Sequence, residues 1–492
     1  MTQLAMRLPG YLHRARSDSL VRNSLYLMAS TIVTSGLGYL FWAFAAHIFN
    51  REEVGTGSAV ISLCSTTALL TYLGSSALLI ERLPAVEQSS QWTAKLLRVC
   101  LVTAAVTAVV TTIAIPILLA SAHYHLFFRG VVPVVISIAG AAAWTLINLL
   151  GAAFIAARRA GRLLSIQSVV SVAKILFLVP LAAAGTGALG LVGAWTASSV
   201  LGVVAGAVWL VPRMGLGHRP GFRPRRRTMN TADYRPRQYR HPQHRRASAP
   251  PTGRSVRSWL GQHLTSAGGI LVPLVLPLLV VARLGVTQNA YFYITEMMGA
   301  AFFMISPSVA QAVFAEGVRT RSALPGVVAK ALRVIAMLLV PAMAVMIAGG
   351  KLILGLFGAS YASVGYHLLI LLALSAVPDA VSNVAVVVCR VTDRLGYSTA
   401  LNLSILVMTL SGSWFLMPRM GITGVGVAWL VAQTVGAIAS LPAYAHVKDP
   451  VGMAAATPDQ VLPLPGGLPS HPGVALLIDI ARQQSLDSLS GP

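Results

Sequence analysis

Twelve apolar stretches, each near the length a helix needs to cross a bilayer, occupy most of this chain. A hydrocarbon core about 30 Å thick takes roughly 20 residues of helix. In the 492-residue sequence such stretches fall near 23–47, 55–80, 95–120, 130–157, 163–184, 188–212, 258–283, 288–315, 326–349, 362–389, 396–417 and 422–446. Inside a bilayer the backbone must satisfy its own hydrogen bonds, which leaves helices or a closed barrel. Apolar runs this long and continuous read as helices. Only 10% of residues are charged, against roughly 25% in soluble proteins. The three cysteines, Cys64, Cys100 and Cys389, fall inside apolar runs, so they read as small core residues and not as a disulfide framework.

The charges are unevenly placed. Residues 213–257, between the sixth and seventh stretches, hold thirteen arginines and one acid, Asp233. Such a composition alone reads as a nucleic-acid arm. Between membrane spans it reads instead as a cytoplasmic marker, and no nucleic-acid partner is expected. The other loops agree. Those on the same side carry, among others, Arg14, Arg98, Arg159, Arg162, Arg321 and Arg394, whereas the alternate loops carry Arg51, Arg129, Arg283, Lys351 and Arg419. This asymmetry predicts a multi-pass protein of the cell membrane with both termini cytoplasmic. The first stretch is too long for the apolar core of a signal peptide and reads as an uncleaved span. The arginine-rich link reads either as a Pro/Arg tether or as a segment adhering to anionic membrane lipids. The Pro/Gly/Ser-rich tail after Val447 reads as disordered.

The chain also repeats itself. GLVGAW begins at 190 and GVGVAW at 424, 234 residues apart; Arg162-Leu163 and Arg394-Leu395 are 232 apart. Six crossings return the chain to its starting side, so two copies of a six-span unit share one orientation. They are then related by an axis along the membrane normal, with a cavity between them. The predicted fold is an all-α polytopic membrane protein of about twelve transmembrane helices, in two six-helix lobes with a pseudo-twofold axis. The predicted divisions are a cytoplasmic arm at 1–22, lobes at 23–212 and 258–446, the link at 213–257 and the tail at 447–492.

The opening RNSLYLMASTIVTSGLGYLFWAFAAHIFNREEVGTGSAVISL combines a Gly-broken first span, a polar turn with Glu53-Val54-Gly55 and a small-residue second span. With the two-lobe hydropathy pattern of residues 22–446, it resembles the multidrug/oligosaccharidyl-lipid/polysaccharide (MOP) exporter superfamily, and its polysaccharide-flippase (Wzx-type) branch in particular. The link looks longer and more basic than that pattern requires, and the tail is not part of it. The resemblance implies a non-enzymatic flippase that translocates a lipid-linked oligosaccharide by rocking one lobe against the other. Its alternative is a cation-coupled small-molecule exporter of the MATE type. A glycan polymerase and glycosyltransferases are the implied protein partners.

Ionisable residues deep in a span are costly and mark transport pathways by default. Lys174, in SVVSVAKILFLVP, lies about eleven residues into the fifth span, roughly 16 Å deep. It reads as a cationic anchor for a phosphate or pyrophosphate, or as a packing lysine. Asp379, in LSAVPDAVSNVAV, follows Pro378, which invites a kink. It reads as a site for a proton or Na⁺, as an interlobe partner of Lys174, or as a carboxylate satisfied locally by Ser382 and Asn383. Glu296, in YFYITEMMGAAFF, reads equally as a cavity acid or as an interfacial, partly wet one. Asn148, Asn383 and Asn402 read as cavity residues for sugar hydroxyls or as interhelical hydrogen-bonding groups. Trp42, Trp92, Trp209, Trp259 and Trp414 fall near span ends, as an aromatic belt places them.

From Gln88 to Ala232 there is no Asp or Glu. The first lobe therefore lacks the acidic ion site expected of a MATE exporter and offers Lys174 instead, which favours an anionic substrate. No phosphate-cradling loop, metal-ligand cluster or nucleophile constellation appears, so no metal or cofactor beyond a coupling ion is expected. A glycan polymerase, ligase or glycosyltransferase needs catalytic groups in a substantial outer loop, and the outer loops here are short. A basic scaffold for other proteins is the remaining class.

Overall fold

The computed structural model describes residues 19–83, 89–157, 159–207, 252–319, 324–392 and 394–445. The arginine-rich link up to residue 251, the tail and residues 1–18 of the N-terminal arm lie outside the described residues, as do the expectations placed on them.

Among the described residues thirteen α-helices follow in order: α1 (Ser19–Ile48), α2 (Arg51–Arg82), α3 (Ser89–Leu119), α4 (Val131–Ala156), α5 (Ala160–Ala183), α6 (Ala188–Ala205), α7 (Thr252–Leu284), α8 (Val286–Phe303), α9 (Ile305–Arg319), α10 (Leu324–Gly355), α11 (Ala359–Val391), α12 (Leu395–Met420) and α13 (Ile422–Ala445). A 3₁₀ turn, Ala122–Tyr124, follows α3. Eleven rods are long and apolar enough to cross a membrane when Val286–Gln311, which joins α8 to α9, is taken as one. The twelfth, α7, is apolar over Gly268–Leu284. The chain is thus a multi-pass membrane protein of the expected helix number.

The helices pair by one scheme, used twice. In the first half α1 packs on α5, α2 on α3 and α4, α3 on α4, and α6 on α4 and α5. In the second half α7 packs on α12, the α8–α9 rod on α10 and α11, α10 on α11, and α13 on α11 and α12. Counted as spans, these are the same pairings six positions on, which is the duplication expected from the sequence.

Two details differ from expectation. The first span is not broken at its glycines: α1 runs through Gly36 and Gly38 without interruption. The break falls in the eighth span, at Met304. An uninterrupted helix would need the N–H of residue 307 to reach the carbonyl of Phe303. Pro307 has no N–H, and its ring crowds that turn. The helix therefore ends and restarts with Pro307 in the first turn of α9, where a missing donor costs nothing. By contrast α11 continues through Pro378. The aromatic belt is also only partial, because Trp42 and Trp92 are buried while Trp414 is exposed and covered by Arg283, 4.9 Å from its ring.

The lobes meet at the ends of the spans that carry few arginines. There α2 begins with Asn50 and Glu53 in a capping box, each side chain accepting from the other's backbone N–H at 2.9 Å. Two residues on, Gly55 lies so close to α8 that a Cβ there would collide with the carbonyl oxygen of Val286. Asn289 of α8, fully buried, donates from Nδ2 to Gly55 O at 2.8 Å and to Ser58 Oγ at 3.0 Å. Tyr124 in the 3₁₀ turn donates to Leu278 O of α7 at 3.0 Å. The joint continues to mid-helix, where Thr66 Oγ1 donates to Leu274 O at 3.2 Å. One hydrophobic core runs through this region from Phe41 and Val60 to Phe292 and Leu368, and a separate one, around Leu96 and Phe154, fills the arginine-rich end of the first lobe.

Candidate functional site

Four of the six residues singled out in the sequence line a single cavity of about 140 Å³ inside the second lobe: Glu296, Asp379, Asn383 and Asn402. The fold brings them together for simple reasons. Asp379 and Asn383 are one turn apart on α11 and share a face. Glu296 enters from α8, Asn402 from α12 and Gln433 from α13. The break at Met304 adds Ser306, which opens α9 against α11.

Asp379 is held from three sides. Ser306 Oγ donates to its Oδ2 at 2.7 Å and Asn383 Nδ2 to the same oxygen at 2.8 Å. Gln433 Nε2 donates to Oδ1 at 3.2 Å. Asn383 also donates to Ser306 Oγ at 3.1 Å, closing the network. Among the described residues no basic group lies within ion-pair distance of this carboxylate or of Glu296. Glu296 is 7% exposed and has no hydrogen-bond donor among the described residues. The Trp429 ring stacks on Phe303 at 5.1 Å and also lines the cavity. Two buried carboxylates, three amides and a hydroxyl around one void form a place where a proton or small cation can be held and where hydroxyl-bearing groups can be bonded.

The interlobe ion pair does not form: Asp379 is satisfied within its own lobe, by Ser306 and Gln433 as well as Asn383. Ser382, expected to help, instead donates to Pro378 O at 3.2 Å. Lys174 lies in the first lobe, fourteen residues into α5 and nine from its end. That places it about 21 Å along the helix at 1.5 Å per residue, deeper than the sequence suggested. It is half-buried, with Nζ 5.7 Å from the centroid of the Phe41 ring. Phe41 packs edge-on against Trp42 at 5.2 Å, and Trp42 meets Tyr293 of the other lobe at 4.6 Å. Glu296 follows one turn after Tyr293. A row of aromatic rings therefore crosses the interface, with a cation at one end and a carboxylate at the other. Asn148 belongs to neither group, since its Nδ2 donates to Trp144 O of its own helix at 2.8 Å.

Sequence reasoning missed Ser306, Gln433 and Trp429. Gln433, an amide in an otherwise apolar span, was a readable signal; Ser306 was not, because only the helix break at Pro307 turns it towards Asp379.

The first lobe has hydroxyls where the second has acids. Thr103 Oγ1 donates to Ser75 Oγ at 3.0 Å, Thr71 and Thr107 share a bond of 2.6 Å, Thr107 and Thr145 one of 3.0 Å, and Thr111 Oγ1 donates to Thr67 Oγ1 at 2.9 Å. Spaced by four along α2 and α3, these residues form an interhelical ladder.

No family model matches the chain, and no curated protein matches it in sequence. Solved structures do. An inward-facing multidrug resistance MATE family transporter of the MOP superfamily aligns over 88% of this chain and 96% of its own, with 17% identity and a TM-score of 0.55. The lipid II flippase MurJ, in an inward closed conformation, aligns over 86% and 90%, with 10% identity and a TM-score of 0.55. A MOP superfamily transporter from Pyrococcus furiosus aligns over 87% and 95%, with 15% identity and a TM-score of 0.52. Likeness at such identities is a likeness of fold, and in fold this chain is similar to these MOP-superfamily proteins.

Proposed function

We propose that the protein is a flippase that moves a lipid-linked oligosaccharide, a precursor of a cell-envelope glycan, across the cytoplasmic membrane by alternating access. The arginine-rich ends of the spans face the cytoplasm in this reading, and the joint around Gly55 and Asn289 closes the opposite side. The observation that carries the reading is Lys174: a lysine deep in the lobe that contains no carboxylate between residues 88 and 232, beside the aromatic row at the interface. A half-buried cation at membrane depth favours an anionic group such as a pyrophosphate. The solved structures of like fold include a lipid flippase as well as multidrug transporters, which is consistent with either cargo. Glycosyltransferases and a glycan polymerase would supply and consume the cargo. Anionic headgroups would meet the link at 213–257.

Replacing Lys174 by alanine should abolish complementation of glycan export at unchanged protein level, and Lys174→Arg should retain it. Full export by the alanine variant would remove the anchor and with it this reading. The second reading, a cation-coupled exporter of small molecules, is favoured by the Asp379 cavity, whose carboxylates suit H⁺ or Na⁺ coupling. Drug sensitivity on deletion, with surface glycans intact, would select it.

A further inference from the structure

A second groove, of about 160 Å³, lies between α12 and α13. Ala400, Ser404 and Met408 of α12 and Val435, Gly436 and Ala439 of α13 line it. Val407, Val431, Ile438 and Leu441 beside it are all at least half exposed, so this face of the bundle is turned to the membrane. The groove runs from Tyr397 to Met408, about 16 Å of helix, starting at the arginine-rich face.

Two features set it apart from an ordinary crevice between helices. Its inner wall is Ile405, which also lines the Asp379 cavity, so one side chain separates the membrane from that cavity. Gly436 provides the seat: a Cβ there would meet Ile405 Cδ1 at 2.5 Å. At the mouth, the Tyr397 hydroxyl donates to Ala439 O across the two helices. Arg394, the residue before α12, is exposed there. Arg390, at the end of α11, has a buried Nε with no acceptor.

We infer that this groove holds the hydrocarbon chain of a single-chain lipid phosphate, with the phosphate at Arg394. The chain lies where the surrounding solvent is hydrocarbon, and the cations stand at the depth of headgroups. The exposed guanidinium of Arg394 suits a phosphate oxygen. Two helices bound the groove, which leaves width for one chain. That the chain is an isoprenoid rests on the flippase reading above; the groove and its phosphate do not.

The test is photolabelling of the full-length protein in mixed micelles by geranylgeranyl phosphate bearing a diazirine near its tail. Label is expected within 395–445. Ser404→Phe, at an exposed position where the ring fills the groove without a buried clash, should reduce it at least ten-fold. Ala439→Phe should do the same from the other helix, and Arg394→Gln should reduce it at least three-fold. Unfolding temperatures of all three variants should stay within a few degrees of the parent. Label located elsewhere, or unchanged by both phenylalanines, would overturn the site. Equal labelling by a two-chain phosphatidic acid probe would overturn the single-chain assignment. Labelling needs no transport, so a Lys174→Ala protein should label normally whether or not it exports.

Discussion

The two lobes are built on one pairing scheme and filled with opposite chemistry. Shifting Asp379 back by the 234 residues that separate Asn289 from its partner Gly55 lands on Thr145. Both are buried, and both sit on the helix that packs against most of its lobe. Thr145 joins a ladder of neutral hydroxyls that ties α2, α3 and α4 together, and Thr67, Thr71, Thr107 and Thr111 in it are also bonded to their own helices. Asp379 sits in a network of amides around a cavity. The repeat fixes where helices go, while a handful of polar positions decides which lobe carries buried carboxylates and which is laced by hydroxyls.

Exchanging those positions breaks the comparison at its strongest point. Thr145→Asp puts a carboxylate at a fully buried position whose side-chain partner is the Thr107 hydroxyl. A loss of about 3 kcal/mol is expected, the cost of an acid at a span centre, seen as a lower unfolding temperature and reduced insertion. Near-native stability would mean that the lobes are more alike than their interiors suggest. The next effect lies in the second lobe. Asp379→Asn keeps the shape but replaces an acceptor of three donors with an amide, which should cost about 1.5–3 kcal/mol. It should also lower transport at least ten-fold; native transport would exclude the cavity from coupling. The smallest change sharpens the ladder itself. Thr107→Val removes two interhelical bonds, each worth about 0.6 kcal/mol in a bilayer, so roughly 1 kcal/mol of stability should go with transport unchanged.

Much of the fold was legible because bilayer thickness, loop charge and repeat offset each impose a hard periodicity on the sequence. The site was legible to the extent that charge is conspicuous in an apolar span: Glu296 and Asp379 stood out, and Asn383 and Asn402 came with them. Lys174 was conspicuous in the first lobe for the same reason, yet its neighbours were not readable, since Phe41 comes from a span far away in sequence. Ser306 depended on a helix break whose cause, Pro307, looked no different from the prolines that α11 and α12 absorb. The supposed pair between Lys174 and Asp379 failed for a physical reason. Opposite charges attract, but an acid with three donors close at hand gains little by waiting for a fourth across an interface.

Gly55 and Asn289, 234 residues apart, touch each other. In a dimer of two identical six-helix chains the corresponding position would face its own copy. Two asparagines there would collide with the helix opposite, and two glycines would leave carbonyls without a donor. Only a chain that carries both copies can place a side chain on one side of the axis and a space for it on the other. The joint between the halves is therefore a lock and a keyway, and a chain built from two copies of either half would lack one of the two parts.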